Sequence, residues 1–146
     1  MSDSATTTAQ TTRSGEPAPT VWPAFQVRDA DSMVTFLTDV LGFENTALYA
    51  DGGTIAHAQF DWPEGGGVMF GSVAENSVWQ REPGVSGFYV VTDRVDEIFQ
   101  RVQASGAKVL REPTDTDYGN HEFSCADPEG NLWSFGTYRG EPPTGS

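Results

Sequence analysis

Lysine is almost absent from this chain: Lys108 is the only one in 146 residues, and Lys and Arg together number 8 against 21 Asp and Glu. The resulting formal net charge of −13 excludes nucleic-acid binding, which depends on clustered cations that displace phosphate counterions. Cysteine is equally scarce. With Cys125 alone, no intrachain disulfide and no thiolate metal cluster is possible, and a cytoplasmic protein is the simplest expectation. No apolar h-region exists near the N-terminus, so neither a signal peptide nor a membrane anchor is expected. The acidity itself has two readings: steering toward a cationic ligand, or solubility and adaptation to high salt.

What the chain does have is a repeat. Pro63-Glu64-Gly65-Gly66-Gly67-Val68-Met69-Phe70-Gly71-Ser72 returns 65 residues later as Pro128-Glu129-Gly130-Asn131-Leu132-Trp133-Ser134-Phe135-Gly136-Thr137. Both copies read as a Pro-x-Gly turn followed by a short apolar strand, so one supersecondary unit is used twice. The match extends backward. Val21, Pro23, Phe25 and Val27 alternate, Asp29 or Asp31 signals a helix start, Met33, Phe36, Leu37, Val40 and Leu41 follow at helical spacing, and Gly42 closes the helix. In the second copy Phe88, Val90 and Thr92 precede Asp93 as cap, then Val95, Ile98, Phe99 and Val102 at helical spacing, and Gly106. Three strand-like runs follow each helix: Glu44–Tyr49, Thr54–Trp62 and Gly67–Val73, then Lys108–Glu112, His121–Ala126 and Leu132–Tyr138.

These elements predict an α+β fold of two βαβββ modules forming a curved mixed sheet around a cleft. Residues 21–139 form one domain, with module one at 21–73, a linker at 74–84 and module two at 85–139. Residues 1–20, rich in Ser, Thr, Ala and Gln, read as a disordered tail, and 140–146 as a second tail.

Val27-Arg28-Asp29, Phe36-Leu37-Thr38-Asp39-Val40-Leu41-Gly42-Phe43 and Asp127-Pro128-Glu129-Gly130-Asn131-Leu132-Trp133-Ser134-Phe135 resemble the vicinal oxygen chelate superfamily, which holds glyoxalase I, extradiol dioxygenases, fosfomycin-resistance transferases and bleomycin-resistance proteins. The resemblance covers roughly residues 20 to 139. It implies a cleft in which, in the enzymes, four positions hold a divalent metal. Carried onto this chain, those positions are Trp22, Met69, Gly87 and Ser134. Such a metal needs imidazole or carboxylate donors, which these four residues do not supply. No metal and no other cofactor is therefore expected, and in this respect the chain looks closest to the metal-free bleomycin-resistance-like members.

If Trp22 faces the cleft, alternation brings Ala24, Gln26, Tyr89, Ser134 and Gly136 to the same side, while Phe25, Val27, Phe88, Val90, Trp133 and Phe135 form core. The candidate ligand-binding residues are Trp22, Gln26, His57, Met69, Tyr89 and Ser134, a make-up suited to a sizeable, partly aromatic or cationic ligand. The alternative is a plugged cleft, with Trp22 and Tyr89 filling the vacant metal space. His57 is read as pocket-lining rather than a catalytic base; the repeat pairs it with Glu122, and His121 faces the other way. Asp127 and Glu129 are turn-formers. Cys125 has no assignable catalytic partner, and Trp79 in the linker is a lid, a dimer contact or a loop anchor. No catalytic residue is assigned. The functional expectation is a homodimeric protein that sequesters an antibiotic or metabolite. The alternative is a glyoxalase-type lyase, isomerase or dioxygenase with a non-standard or absent metal site.

Overall fold

Each module opens with a strand whose inward residues are apolar and makes a glycine turn before its last strand, and the computed structural model shows both; it describes residues 18–143. Most of the expected N-terminal tail (1–17) and the last three residues of the C-terminal one lie outside the described residues. Module one contains β1 (Ala24–Val27), α1 (Ala30–Thr35) continuing as a π-helical segment (Phe36–Leu41), β2 (Glu44–Asp51), β3 (Thr54–Asp61) and β4 (Gly67–Ser72). Module two contains β5 (Gly87–Val91), α2 (Val95–Ser105), β6 (Val109–Asp115), β7 (His121–Ala126) and β8 (Leu132–Gly136). The single curved sheet of the sequence reading resolves into two four-stranded mixed sheets of identical topology, β1-β4-β3-β2 and β5-β8-β7-β6. In each, the first strand runs parallel to the last and the others are antiparallel.

The repeat is visible in individual backbone bonds. Trp62 N–H donates to the Gly66 carbonyl and Gly65 N–H to the Trp62 carbonyl; 65 residues on, Asp127 donates to Asn131 and Gly130 to Asp127. Gly65 and Gly130 both hold positive φ, 125° and 103°, where a side chain would be strained. The strand pairs Ala24–Met69 and Tyr89–Ser134 occupy the same place in their sheets.

Two details depart from the helical reading. The first helix widens into π geometry, where the Thr38 hydroxyl takes the Val34 carbonyl at 2.8 Å and Gly42 N–H reaches back to Leu37. A hydroxyl that competes for a backbone carbonyl is a known cause of such widening. Asp93 is not the cap of α2: Arg94 occupies that position, its N–H donating to Thr92 Oγ1, while Asp93 pairs with Arg139 at 3.1 Å. Asp29 does cap α1, accepting from Ser32 N at 3.1 Å.

One core serves both modules. Phe25, Val27, Phe60 and Phe70 bury against Phe123, Trp133 and Phe135, with Phe88 and Val90 packed at its margin. Aromatic pairs cross the module boundary: Phe25–Phe88 at 5.0 Å, Phe43–Trp133 at 5.6 Å and Trp62–Phe135 at 6.1 Å between centroids. The helices pack on each other, α2 against the π-helical segment.

The turns lock the modules reciprocally. Glu129, in the turn before β8, accepts from the backbone N–H of Arg28 (2.9 Å) and Asp29 (2.7 Å) at the start of α1. Its repeat equivalent Glu64 accepts from Thr92 Oγ1 (2.8 Å) and approaches Arg94 (3.4 Å) at the start of α2. A carboxylate at a helix N-terminus satisfies open donors and meets the positive end of the helix dipole.

Candidate functional site

Strand alternation gives each sheet one face toward the helices and one away from them. On the outer face of the first sheet is a cavity of about 480 Å³, lined by Ala24, Gln26, His57, Met69 and Gly71, with Trp79 of the linker at its edge. The floor is shaped by a bulge. Tyr49 pairs with His57 but Ala50 with Ile55, leaving Ala56 as the extra residue. Its carbonyl would stand 3.0 Å from a Cβ at position 71, so Gly71 admits the bulged backbone where a larger residue would force it away. His57 stacks on Tyr49, ring centroids 5.9 Å apart at 24°.

The equivalent face of the second sheet carries a cavity of about 490 Å³, lined by Tyr89, Tyr118, Asn120, Glu122, Ser134 and Tyr138 among others. The 65-residue offset makes Tyr89 the counterpart of Ala24, Glu122 of His57, and Ser134 of Met69. Here the polar groups satisfy one another. Tyr89 Oη donates to the Tyr138 carbonyl at 2.7 Å and lies 3.4 Å from Asn120 Oδ1. Asn120 donates to Glu122 at 2.5 Å, and Arg111 donates to the other Glu122 oxygen at 3.0 Å. Partial burial pushes the Tyr89 phenol above its ordinary range, partly offset by its contacts with Asn120 and Tyr138. Ser134 Oγ is 2.7 Å from Ser124 Oγ.

The candidate residues thus divide between two cavities that share no lining residue. Gln26, His57 and Met69 stand on the first; Tyr89 and Ser134 stand on the second. Trp22 lines neither. The first strand begins only at Ala24, and the Trp22 ring lies over Gly67, with its Nε1–H donating to the Pro19 carbonyl at 3.2 Å. Asn120, Tyr118 and Tyr138 were not singled out from sequence. Asn120 and Tyr118 sit on the β6–β7 turn and Tyr138 beyond the end of β8, where alternation has no hold. The repeat does offer a signal for Asn120, which stands where module one has Ile55, a lining residue of the first cavity.

The four metal positions do not fit a divalent ion. Met69 is on one cavity, Gly87 and Ser134 on the other and Trp22 on neither, and indole, thioether, hydroxyl and a bare glycine are not its donors. Among the described residues no three His, Cys, Asp or Glu side chains are grouped to hold a metal. The Cys125 thiol is not placed to act as a nucleophile. Cys125 is fully buried, and burial, with the nearby Asp127 carboxylate, pushes its thiol up to about 12. Asp127 is occupied by its turn, accepting from the N–H groups of Glu129, Gly130 and Asn131, from Asn131 Nδ2 and from Trp133 Nε1. A larger depression, about 790 Å³, opens across the helix side beside this turn. Asp127 and Glu129 in its wall are already engaged by backbone donors. His121, on the other side of β7 from Glu122, is held between Asp115 (2.7 Å) and Asp96 (2.8 Å).

Comparison with known proteins bears on the fold and the family. Residues 20–135 match the family described as Glyoxalase/Bleomycin resistance protein/Dioxygenase superfamily. The crystal structure of TioX from Micromonospora sp. ML1 is similar at 30% identity and a TM-score of 0.67, covering 80% of this chain and 97% of that one. A glyoxylase/bleomycin resistance protein/dioxygenase domain from Frankia sp. EAN1pec shares the fold at 14% identity and TM-score 0.66, covering 84% and 98%. So does the fosfomycin resistance protein FosX from Listeria monocytogenes, solved with Mn(II) and sulfate, at 16% identity and TM-score 0.57, covering 82% and 92%. No curated protein matches the chain. Among the described residues no helix is long and apolar enough to cross a membrane. With the family matched over most of its length and its two βαβββ modules in place, this chain belongs to the glyoxalase/bleomycin resistance protein/dioxygenase superfamily.

Proposed function

We propose that this protein binds a sizeable, partly aromatic small molecule stoichiometrically, without metal and without converting it, as a cytoplasmic homodimer that sequesters an antibiotic or metabolite. The observation that carries this reading is the make-up of the two sheet-face cavities. Each is of the size of small-molecule sites, and their walls hold indole, imidazole, phenol, thioether and amide groups. Two further facts support it. The residues at the family's metal positions are not donors, and the buried Cys125 thiol is no nucleophile. The net charge of −13 favours a ligand with cationic character by steering.

The test is a thermal-shift screen of aromatic and cationic natural products on purified protein, with metal analysis of the same sample and recovery of each stabilising compound. The expected result is saturable stabilisation at one ligand per chain, the compound recovered unchanged, no stoichiometric Ni, Zn, Mn or Fe, and a melting temperature unaffected by EDTA. Near one equivalent of tightly held metal, or conversion of the compound to a product, would sink the reading.

A further inference from the structure

The two cavities differ in what their polar groups are free to do. In the second, Tyr89, Asn120, Glu122 and Arg111 bond to one another or to backbone. In the first, Ser72 and Ser77 are engaged by backbone N–H groups, while Gln26 is bonded through only one side of its amide and His57 through neither ring nitrogen among the described residues. Gln26 is 8% exposed and lines the cavity. Its Nε2 donates to the Phe25 carbonyl at 3.2 Å, which orients the amide and leaves its oxygen with no partner among the described residues. No fully buried side-chain oxygen or nitrogen among them lacks a partner, so this oxygen keeps an open face beside the cavity. An oxygen open to the cavity accepts from water until a ligand donor takes its place. His57, half-buried on the same cavity, makes no hydrogen bond through its ring nitrogens to the described residues.

Trp79 supplies an aromatic side. The residue is 61% exposed although it lines the cavity, and the backbone bonds beside it are local: Trp79 N to Ser77 Oγ at 3.0 Å and Gln80 N to the Ser77 carbonyl at 3.1 Å. Asn76, at φ 66°, lies in the turn that precedes Trp79. An indole left this open gains most when a flat ring covers it. His57, backed by Tyr49, offers a second aromatic side, and Met69 a soft floor.

We infer that the first cavity takes a flat, fused aromatic ring bearing a hydroxyl or ring N–H, held against Trp79 and His57 and donating its hydrogen to the Gln26 amide oxygen. This rests on the binding-protein reading above and adds the ligand class and Trp79 as a binding residue.

The probes are 2-naphthol and 2-methoxynaphthalene, identical but for the donor hydrogen, titrated calorimetrically into the full-length protein. The Met69 methyl resonance reports the location, with the buried Met33 methyl as internal reference. In the wild type, 2-naphthol should bind about tenfold tighter than its methyl ether, the worth of one hydrogen bond, and should shift Met69 but not Met33. Trp79→Ala, at an exposed position, should weaken both probes by about tenfold or more. Gln26→Leu should abolish the preference and leave the ether's affinity unchanged. Should Gln26→Leu fail to fold, the wild-type preference and the Trp79→Ala loss still decide. Equal affinity for the two probes, or binding indifferent to Trp79→Ala, overturns the inference. If neither naphthalene binds while the natural-product screen yields a ligand, the inference falls and the binding-protein reading stands; if that screen is also empty, both fall.

Discussion

At the scale of single residues, the chain separates tryptophans and acids by what surrounds them rather than by type. Trp133 is fully buried and its Nε1–H is held by Asp127 at 2.9 Å. Trp133→Ala should lower stability by about 3–5 kcal/mol, through lost area and the cavity left behind. Asp127→Ala leaves several buried donors unpaired and should cost about 3 kcal/mol or more, at one to three per unpaired group. Chemical denaturation measures both; losses under about 1 kcal/mol would contradict the assignment of these residues to the frame. Trp79→Ala, at an exposed ring, should leave the denaturation midpoint nearly unchanged. Cys125 makes a separate prediction. With its thiol buried and pushed up to about 12, iodoacetamide at pH 8 should not label the folded protein within the time that labels a denatured sample fully. Prompt labelling of the native protein would mean that β7 opens or that the thiol is not buried.

At the scale of elements, the joints are electrostatic. His121 on β7 meets Asp115 at the end of β6 and Asp96 in the first turn of α2, so one imidazole ties a hairpin to a helix. Hydrogen bonds to Asp96 first, then Asp115, raise its pKa above the ordinary 6.5. A raised folded value stabilises the fold fully below about pH 6.5 and loses that contribution as pH climbs through the folded value. The wild type should therefore lose stability relative to His121→Gln as pH rises above about 6.5, and the two curves should differ by less in high salt, because both aspartates are largely exposed. Parallel curves across that range would refute the clasp. The turn carboxylates are the second joint: Glu129→Ala should cost about 1 kcal/mol, as loss of a helix cap does, checked by urea denaturation. Much of this level was legible in the sequence. The 65-residue offset located both modules and the order of elements along the chain, because a Pro-x-Gly turn followed by an apolar run has a fixed backbone consequence; the strand order within each sheet came from the structure. The core residues Phe25, Val27, Trp133 and Phe135 followed from alternation once the resemblance set Trp22 on the cleft side, with Phe88 and Val90 only partly buried. Alternation failed at Trp22, where the strand starts two residues later, and at Tyr118 and Tyr138, which lie on turns and past strand ends. It also had no means to tell that His57 and Glu122, at corresponding places in the repeat, line separate cavities. The reciprocal bonds of Glu64 and Glu129 depend on the relative placement of the modules, which periodicity does not encode.

At the scale of the whole molecule, the distribution of edges and charge governs assembly. Strand β2 is exposed along nearly its whole length and forms one edge of the first sheet; β6 forms one edge of the second, and carries Pro113 as only an edge strand readily can. Leu48 and Tyr49 on β2 and Leu110 on β6 are exposed apolar side chains. Burying such a surface against a second copy favours association, and the homodimer proposed above uses this drive. Against it stands repulsion between two chains each carrying a formal charge of −13, which is long-ranged at low salt and screened within about 8 Å at physiological ionic strength. The two terms respond oppositely to salt, so they can be separated. Light scattering at micromolar concentration should show the dimer, and sedimentation across a salt series should show the dissociation constant falling as sodium chloride rises from about 20 mM to 500 mM, where the Debye length shrinks several-fold. Replacing Leu48 and Tyr49 together by Ser should weaken the dimer at every salt concentration without changing the sign of that dependence. A monomer throughout the series would refute the dimer, and a dimer weakened by salt would mean that ion pairs, not apolar surface, hold the two copies together.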